Sequence, residues 1–453
     1  MVNLENIHTL YFVGIGGIGM SALARYFKMQ GKNVYGYDRT PTELTSELIA
    51  EEIPIVFDDS VEGLPEDFHL NKNVLVVYTP AVPSSNRILN YFSAEGYQKV
   101  KRAELLGAIS KNSLCLAVAG THGKTTTSAI LGHLMAYCNM PVTAFLGGIA
   151  ENYNSNFIYR GNEITVVEAD EFDRSFLQLR PDIACVTSMD ADHLDIYGDA
   201  SEVENAFRIF ADMVSDEENI FLKNRLPLTG MTVGIEDGSN YAAQNVRIEN
   251  GGYLFDLKTP VAIIRDLIFY LPGRHNLTNA VMAMGMAIRA GAPIEGLKKG
   301  LESFSGVKRR FSYKIRTDDL VLIDDYAHHP TEIDALFQAV DEMYPDDHKQ
   351  IVFQPHLYSR TQDFGMGFAK SLSQFDEVVL LDIYPAREEP IEGITSQWLL
   401  NQITADKKRL VFKSALPGVL LESKCRIKLL VGAGDIGAEV KEITKRLSDE
   451  EGN

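Results

Sequence analysis

A six-residue apolar run, Leu114–Ala119, passes directly into Gly120-Thr121-His122-Gly123-Lys124-Thr125-Thr126-Thr127 and then into a helical pattern through Ile130 and Leu134. Strand, glycine-lysine loop and helix in that order demand a sheet whose strand end opens onto a phosphate cradle. Glycine lets the backbone wrap phosphate oxygens, Lys124 can reach the β and γ oxygens, and the Thr125 hydroxyl can ligate Mg²⁺. The pattern implies an ATP site. It departs from the general G-x-x-x-x-G-K-[ST] spacing, since Val118, followed by Ala119, stands where the first glycine belongs.

Strand-length apolar runs alternate with helix-length amphipathic segments along most of the 453 residues, the pattern of parallel sheets covered by helices. At about 150 residues per domain the length suggests roughly three domains. The first block, 1–109, holds strand candidates at 9–15, 33–37 and 73–79. The second, 110–307, holds Leu114–Ala119, 164–168 and 182–187, with a hairpin expected at Asn250-Gly251-Gly252. The third, 308–453, holds 321–324, 350–354, 377–381, 409–412 and 427–431. The expected fold class is α/β in three domains: N-terminal Rossmann-like, central P-loop ATPase-like and C-terminal Rossmann-like.

Charge narrows the partners. Forty-three Lys and Arg against 62 Asp and Glu leave −19, which repels nucleic acid and anionic membranes, so a nucleotide must be held by a locally built site. The four cysteines form no C-x-x-C pair, against a disulfide framework or a zinc site. No apolar run approaches the ~18 residues of a membrane span, and the apolar stretch 10–20 is broken by glycines and lacks a basic segment before it. A cytoplasmic protein without membrane insertion is expected. Oligomeric state leaves no mark in the sequence.

A second glycine loop follows the first strand. Gly14-Ile15-Gly16-Gly17-Ile18-Gly19 fits G-x-G-x-x-G, and Asp38 ends the next strand. Such a turn brings amides and a helix N-terminus onto a pyrophosphate and places the carboxylate for a ribose hydroxyl. Taken alone it suggests an NAD-dependent oxidoreductase, or a turn that merely packs helix on strand. Gly432-Ala433-Gly434-Asp435-Ile436-Gly437 also matches, but the acid that would bind ribose would fall beyond residue 453, favouring a packing or ligand-edge role.

Two acidic strand ends, Glu168-Ala169-Asp170-Glu171 and Asp190-Ala191-Asp192-His193, suit Mg²⁺ beside a triphosphate. Glu168 and His193 are the candidates for the metal, with His193 also readable as a hydrogen-bonding or structural residue; Asp170, Glu171 and Asp192 are equally readable as solvated or capping. Further on, His275 and Asn276 could meet adenine, or Asn276 could cap the following helix. The third block carries Lys308-Arg309-Arg310-Phe311, then Asp324-Asp325-Tyr326-Ala327-His328-His329-Pro330, Gln354-Pro355-His356-Leu357-Tyr358-Ser359-Arg360-Thr361 and Asp382-Ile383-Tyr384-Pro385-Ala386-Arg387-Glu388. The last three sit at strand C-termini, the edge where open α/β sheets bind ligands.

Together, VGIGGIGMS from Val13, AGTHGKTTT from Ala119, EADE from Glu168, DADHLDIYGD from Asp190, GRHNLTNA from Gly273, RRF from Arg309, DDYAHHPTE from Asp324 and FQPHLYSRT from Phe353 resemble the Mur ligase family over nearly the whole chain. The resemblance implies that the first glycine loop holds a UDP-sugar and not NAD. Gly16, Gly17, Ile18, Gly19, Met20 and Ser21 would lie near it, Asp38 near its uridine, and Thr79 and Arg102 at the rim. Gly120, Thr121, His122, Gly123, Lys124, Thr125 and Thr126 would hold ATP, with Mg²⁺ on Thr125, Glu168 and His193. His275 and Asn276 would meet adenine, and Arg310 and Asp325 would approach ATP from the third domain.

By the same resemblance, His328, His329, His356, Arg360 and Arg387 are candidates for the reacting carboxylate or the incoming amino acid. Lys124, Glu168, His193, Asp325, His329 and Arg360 would carry the chemistry. Later-acting members use a carbamylated lysine downstream of the Asp-His pair, yet no Lys occurs between His193 and Lys223. That absence fits an alanine-adding member using UDP-N-acetylmuramate, ATP and L-alanine, with a member attaching a preformed murein peptide as the alternative. Ala327 stands where some relatives have Gly, and Leu357 where some have Arg. The resemblance also implies that the third domain closes over ATP and excludes water from an acyl phosphate.

Overall fold

The computed structural model describes residues 4, 6–65, 68, 73–190, 197, 199–386 and 388–451. They form two compact units: 1–247 with 254–269 and 278–305, and 306–453 with the excursions 248–253 and 270–277. Three sheets run through them. No helix among the described residues is long and apolar enough to cross a membrane.

The first sheet is all parallel, in the order Ile55–Val56, Asn33–Tyr37, Thr9–Val13, Val74–Tyr78, Gln98–Lys101. The central strand Thr9–Val13 is buried over its last four residues, as expected for a strand with both faces covered. It delivers the glycine turn into the helix Ile18–Met29. That helix also packs on the second sheet: Tyr26 meets Phe145 and Phe157 edge-on, with ring centroids 5.5 and 6.4 Å away. Leu10, Phe12, Leu23, Phe27, Phe145 and Phe157 thus share one buried cluster. At about 1.5–3 kcal/mol per buried large side chain, this shared core couples the two sheets in one unit.

The second sheet has ten strands, and around the phosphate loop the order is Ile220–Lys223, Ile183–Val186, Leu114–Ala119, Ile164–Glu168, Val142–Ala150, Ser155–Tyr159. Leu114–Ala119 lies between two parallel neighbours, so its C-terminal end opens between Glu168 and Thr187. Asn250 and Gly251 have φ of 52° and 73°, the paired positive angles of a tight hairpin turn, between strands Tyr241–Glu249 and Gly252–Lys258.

The third sheet runs Ser312–Arg316, Val321–Asp325, Ile427–Val431, Lys349–Phe353, Glu377–Leu380, Lys407–Leu410; its first pair is antiparallel and the rest parallel. Asp325, Gln354 and Gly432 therefore emerge together at one edge.

Candidate active site

In the larger unit, Gly123 has φ of +86° as it caps the helix Lys124–Tyr137, a conformation that suits glycine. The loop is laced to the next strand end. Thr121 Oγ1 and Ser188 Oγ lie 2.8 Å apart, Ser188 Oγ accepts from the His122 amide at 2.7 Å, and the Thr187 hydroxyl donates to the carbonyls of Ala119 and His122. Thr187 and Ser188 carry no catalytic signature in the sequence, yet they set the cradle's shape. Thr126 is buried beneath it.

Lys124 Nζ donates to Glu171 at 2.6 Å and to the Gly120 carbonyl at 2.6 Å. Burial pulls its pKa down, but Glu171, Asp170 and Glu168 outweigh that effect and hold it above the ordinary lysine value. The Thr125 hydroxyl lies 3.1 Å from both Glu168 oxygens. Glu168 reaches this position across Gly147, where a Cβ would collide with its carboxylate. Glu171, readable from sequence as a solvated or capping acid, is 1% exposed and serves as the counter-ion of Lys124. His193, Asp192 and Arg387 lie outside the described residues.

The first glycine turn is stitched to Asn33–Tyr37 by Gly14 and Ile15 amides on the Tyr37 carbonyl, 2.7 and 3.0 Å. Asp38 Oδ2 accepts from the Gly16 amide at 2.8 Å and Oδ1 from Thr40 at 3.2 Å, so this carboxylate shapes the turn. Gly16, Gly17, Ile18 and Gly19 line the turn, and Thr79 packs against Gly14. Arg102 covers Gly19 and pairs with Asp170 at 3.5 Å; one cation thus joins the first turn to the acidic strand end beside Lys124.

Met20 and Ser21, expected near the UDP-sugar, lie in the first turn of the helix Ile18–Met29. Both side chains are buried, because the first helical turn directs them inward. The Ser21 hydroxyl donates to the Ile18 carbonyl at 3.0 Å. It also accepts from Asn156 at 2.8 Å, and Asn156 donates to Ile18 O and accepts from Arg25. Arg25 in turn grips Glu51 and Glu47.

In the smaller unit, Arg309 and Arg310 both lie against the ring of Tyr326, 5.0 and 5.1 Å from its centroid. Asp325 accepts from the amides of Phe311 and Ala327, each at 2.7 Å. Burial raises its pKa to about 6, against the opposing pull of Arg310 and those two amides. Nearby, the rings of His328 and His356 are 6.2 Å apart, His356 stacks on Tyr384, and Arg360 donates to His356 Nδ1 at 3.2 Å. Leu357, at φ +71°, supplies no charge beside them.

Two other residues are redirected by helix ends. His329 is buried and its Nδ1 caps the helix Pro330–Met343, 2.7 Å from Thr331 Oγ1, while its ring meets Phe364 edge-on at 4.5 Å. Asn276 is 4% exposed and donates to the Pro272 carbonyl at 2.6 Å, so its amide serves the start of the helix Arg274–Arg289; the neighbouring His275 is exposed. The third glycine loop is closed. Gln354 accepts from the Ile436 amide at 2.9 Å and donates to Asp435 at 2.7 Å. Lys413 pairs with Asp435, and Arg309 bonds the Gly432 carbonyl.

A phosphate loop beside acidic strand ends, a glycine turn on a neighbouring sheet, and a third sheet with Arg and His at its edge define a nucleotide-dependent α/β enzyme of three sheets. Residues 9–113 match the Mur ligase family catalytic domain, 118–287 the Mur ligase middle domain, and 309–417 the Mur ligase glutamate ligase domain. The chain belongs to the Mur ligase family. It is 59% identical over 448 residues to the UDP-N-acetylmuramate–L-alanine ligase of Flavobacterium psychrophilum, covering 99% of this chain and 100% of that one.

Among solved structures, a UDP-N-acetylmuramate–alanine ligase from Thermotoga maritima matches with a TM-score of 0.84 at 28% identity, over 98% of this chain and 99% of the other. A murein peptide ligase from Psychrobacter arcticus matches at 0.68 and 19% identity, over 98% and 99% of the chains, and shares the fold. Family membership supersedes the oxidoreductase reading of the first glycine turn.

Proposed function

We propose that this chain is a cytoplasmic ligase that joins L-alanine to UDP-N-acetylmuramate at the expense of ATP, releasing ADP and phosphate in peptidoglycan synthesis. The observation that carries the reading is the phosphate loop itself, with Lys124 on Glu171 and Thr125 on Glu168, in a chain 59% identical to an alanine-adding ligase along its length. In this reading residues 1–109 take the UDP-sugar, 110–307 take ATP, and 308–453 supply Arg310, Asp325 and the amino-acid site.

Among the described residues no three His, Cys, Asp or Glu side chains gather into a metal cage. Mg²⁺ keeps water and phosphate ligands and needs only one or two protein carboxylates, so the oxygen donors Thr125 and Glu168, with His193 proposed beside them, fit it. When bound, the ion would neutralise charge on the phosphate oxygens. Lys124 exchanges Glu171 for the β and γ oxygens and stabilises the charge that builds as a lactyl carboxylate oxygen attacks the γ phosphorus. Arg102, now on Asp170 at 3.5 Å, would hold an anionic group of the sugar nucleotide. The resulting acyl phosphate is attacked by the alanine nitrogen, Arg360 would take the alanine carboxylate, and collapse yields amide and phosphate.

The test is phosphate release with UDP-N-acetylmuramate, ATP and Mg²⁺ against a panel of amino acids and a preformed murein peptide. L-Alanine should drive release; release with the peptide and not with alanine refutes the assignment.

A further inference from the structure

The alanine nitrogen must lose a proton as it adds to the acyl carbon, and the smaller unit presents several histidines near Arg360. Their hydrogen bonds separate them. His356 Nδ1 faces the Arg360 guanidinium, which can only donate, so that nitrogen is already occupied as an acceptor and the ring orients Arg360. His329 Nδ1 is engaged at the cap of its helix and its ring is buried. His348 is at the other end of Lys349–Phe353, paired with Asp376 at 2.9 Å.

His328 differs. Its Nδ1 lies 3.0 Å from the Tyr326 carbonyl, and a carbonyl can only accept, so Nδ1 carries the proton and Nε2 carries the lone pair. Among the described residues Nε2 has no hydrogen-bond partner. The backbone on either side is pinned, because Glu332 accepts from the amides of His328 and His329 at 2.8 and 3.2 Å. We propose that His328 Nε2 is the general base of the amide-forming step. The inference rests on the ligase reading above.

The step balances. Alanine reacts as its neutral amine, the ammonium proton having been left to water. The C–N bond forms from the nitrogen lone pair, a remaining N–H proton passes to Nε2, and the C–O bond to phosphorus-bound oxygen breaks with its electron pair leaving on phosphate. The imidazolium then returns its proton to water. Burial holds the imidazole below its ordinary pKa; Glu332 and the Tyr326 carbonyl oppose this, while Arg360 and Arg310 reinforce it. His356 is the further titratable ring at this face. A histidine kept neutral in this way is in the basic form at neutral pH.

His328→Asn tests the assignment, since the Asn amide can replace Nδ1 on the Tyr326 carbonyl while Nε2 is removed. Hydroxylamine is neutral at neutral pH and traps an acyl phosphate as a hydroxamate without help from a base. The variant should lose roughly 10²–10³ in kcat with alanine, keep KM for alanine within about threefold, and keep hydroxamate formation from UDP-N-acetylmuramate and ATP within about threefold. The limb that His328 contributes to the wild-type pH profile of kcat with alanine should vanish, while the limb that the free alanine ammonium sets in kcat/KM stays. Normal kcat with alanine, a raised KM with kcat kept, or an equal loss of hydroxamate each overturns the proposal. A wild-type enzyme that makes no hydroxamate overturns the ligase reading along with it.

Discussion

Replacing Arg25 by Met tests how the first glycine turn is anchored. Arg25 is 6% exposed and makes bonds of 2.7–3.0 Å to Glu51 and 3.0 Å to Glu47, with a further bond to fully buried Asn156. Methionine fills the space of the stem, so packing changes little. Breaking a fully buried pair costs about 3–5 kcal/mol, but the Glu47 and Glu51 side chains are 29% and 42% exposed and regain water, which lowers that figure. Asn156 Oδ1 has no such recourse and adds about 1–3 kcal/mol.

The net expectation is a loss of about 2–4 kcal/mol, read from urea unfolding followed by circular dichroism in the transition of the larger unit. A cycle with Asn156→Ala isolates the Arg25–Asn156 bond, which should couple by about 1.5–3 kcal/mol, the range for a hydrogen bond to a charged group. Because Asn156 also holds Ile18 O and Ser21, its Ala variant should raise KM for the UDP-sugar and leave KM for ATP unchanged. A coupling below about 0.5 kcal/mol, the usual limit of additivity, would refute the three-way bond.

Lys124→Ala should lower substrate-dependent ADP release by about 10³-fold or more, and unchanged turnover would defeat the ATP-loop assignment. Gly147→Ala places a methyl group against the Glu168 carboxylate; a shift of that acid should weaken the Mg²⁺ dependence of turnover by roughly tenfold to a hundredfold in affinity or rate, measured by Mg²⁺ titration. Asp325 has a folded-state pKa raised from 3.8 to about 6, so its protonated form favours the fold. That stability is complete below pH 3.8 and is lost as pH rises through 6, a change of about 2–3 kcal/mol. Asp325→Asn carries a constant penalty at the Phe311 and Ala327 amides but lacks this loss, so urea midpoints at pH 4 and pH 7 should shift relative to wild type in the variant's favour at the higher pH.

The parallel strands were legible because each is an apolar run ended by a glycine or acidic turn: Leu114–Ala119, Ile164–Glu168 and Ile427–Val431 emerge where the pattern puts them. Edge strands were less so. Lys407–Leu410 begins two residues before the expected 409–412, because at a sheet edge the ammonium groups of Lys407 and Lys408 can reach Glu377 and the carbonyls of Leu400 and Ile403. Gln98–Lys101, largely polar, gave no apolar signal at all.

At the site, Lys124 and Thr125 form a local pattern, and Glu168 announces itself as the acid that ends an apolar strand. The inward turn of Met20 and Ser21 depends on Asn156, 135 residues from Ser21, and no local spacing announces it. The helix-start role of Asn276 was one of its two sequence readings, whereas the cap that His329 makes through Nδ1 was not among the roles read for it. Glu171 was legible as an acid, but its burial against Lys124 follows from strand order.

The side chain of Gln354 stoppers the turn between Ile427–Val431 and the helix Ile436–Glu451. Unlike the glycine turns after Thr9–Val13 and Leu114–Ala119, this one directs its helix dipole at a neighbour's amide oxygen. If the last sheet grips a nucleotide, as proposed for Arg310, the grip belongs to a side chain with its own rotamers, because the amide at the head of this helix is already taken by Gln354.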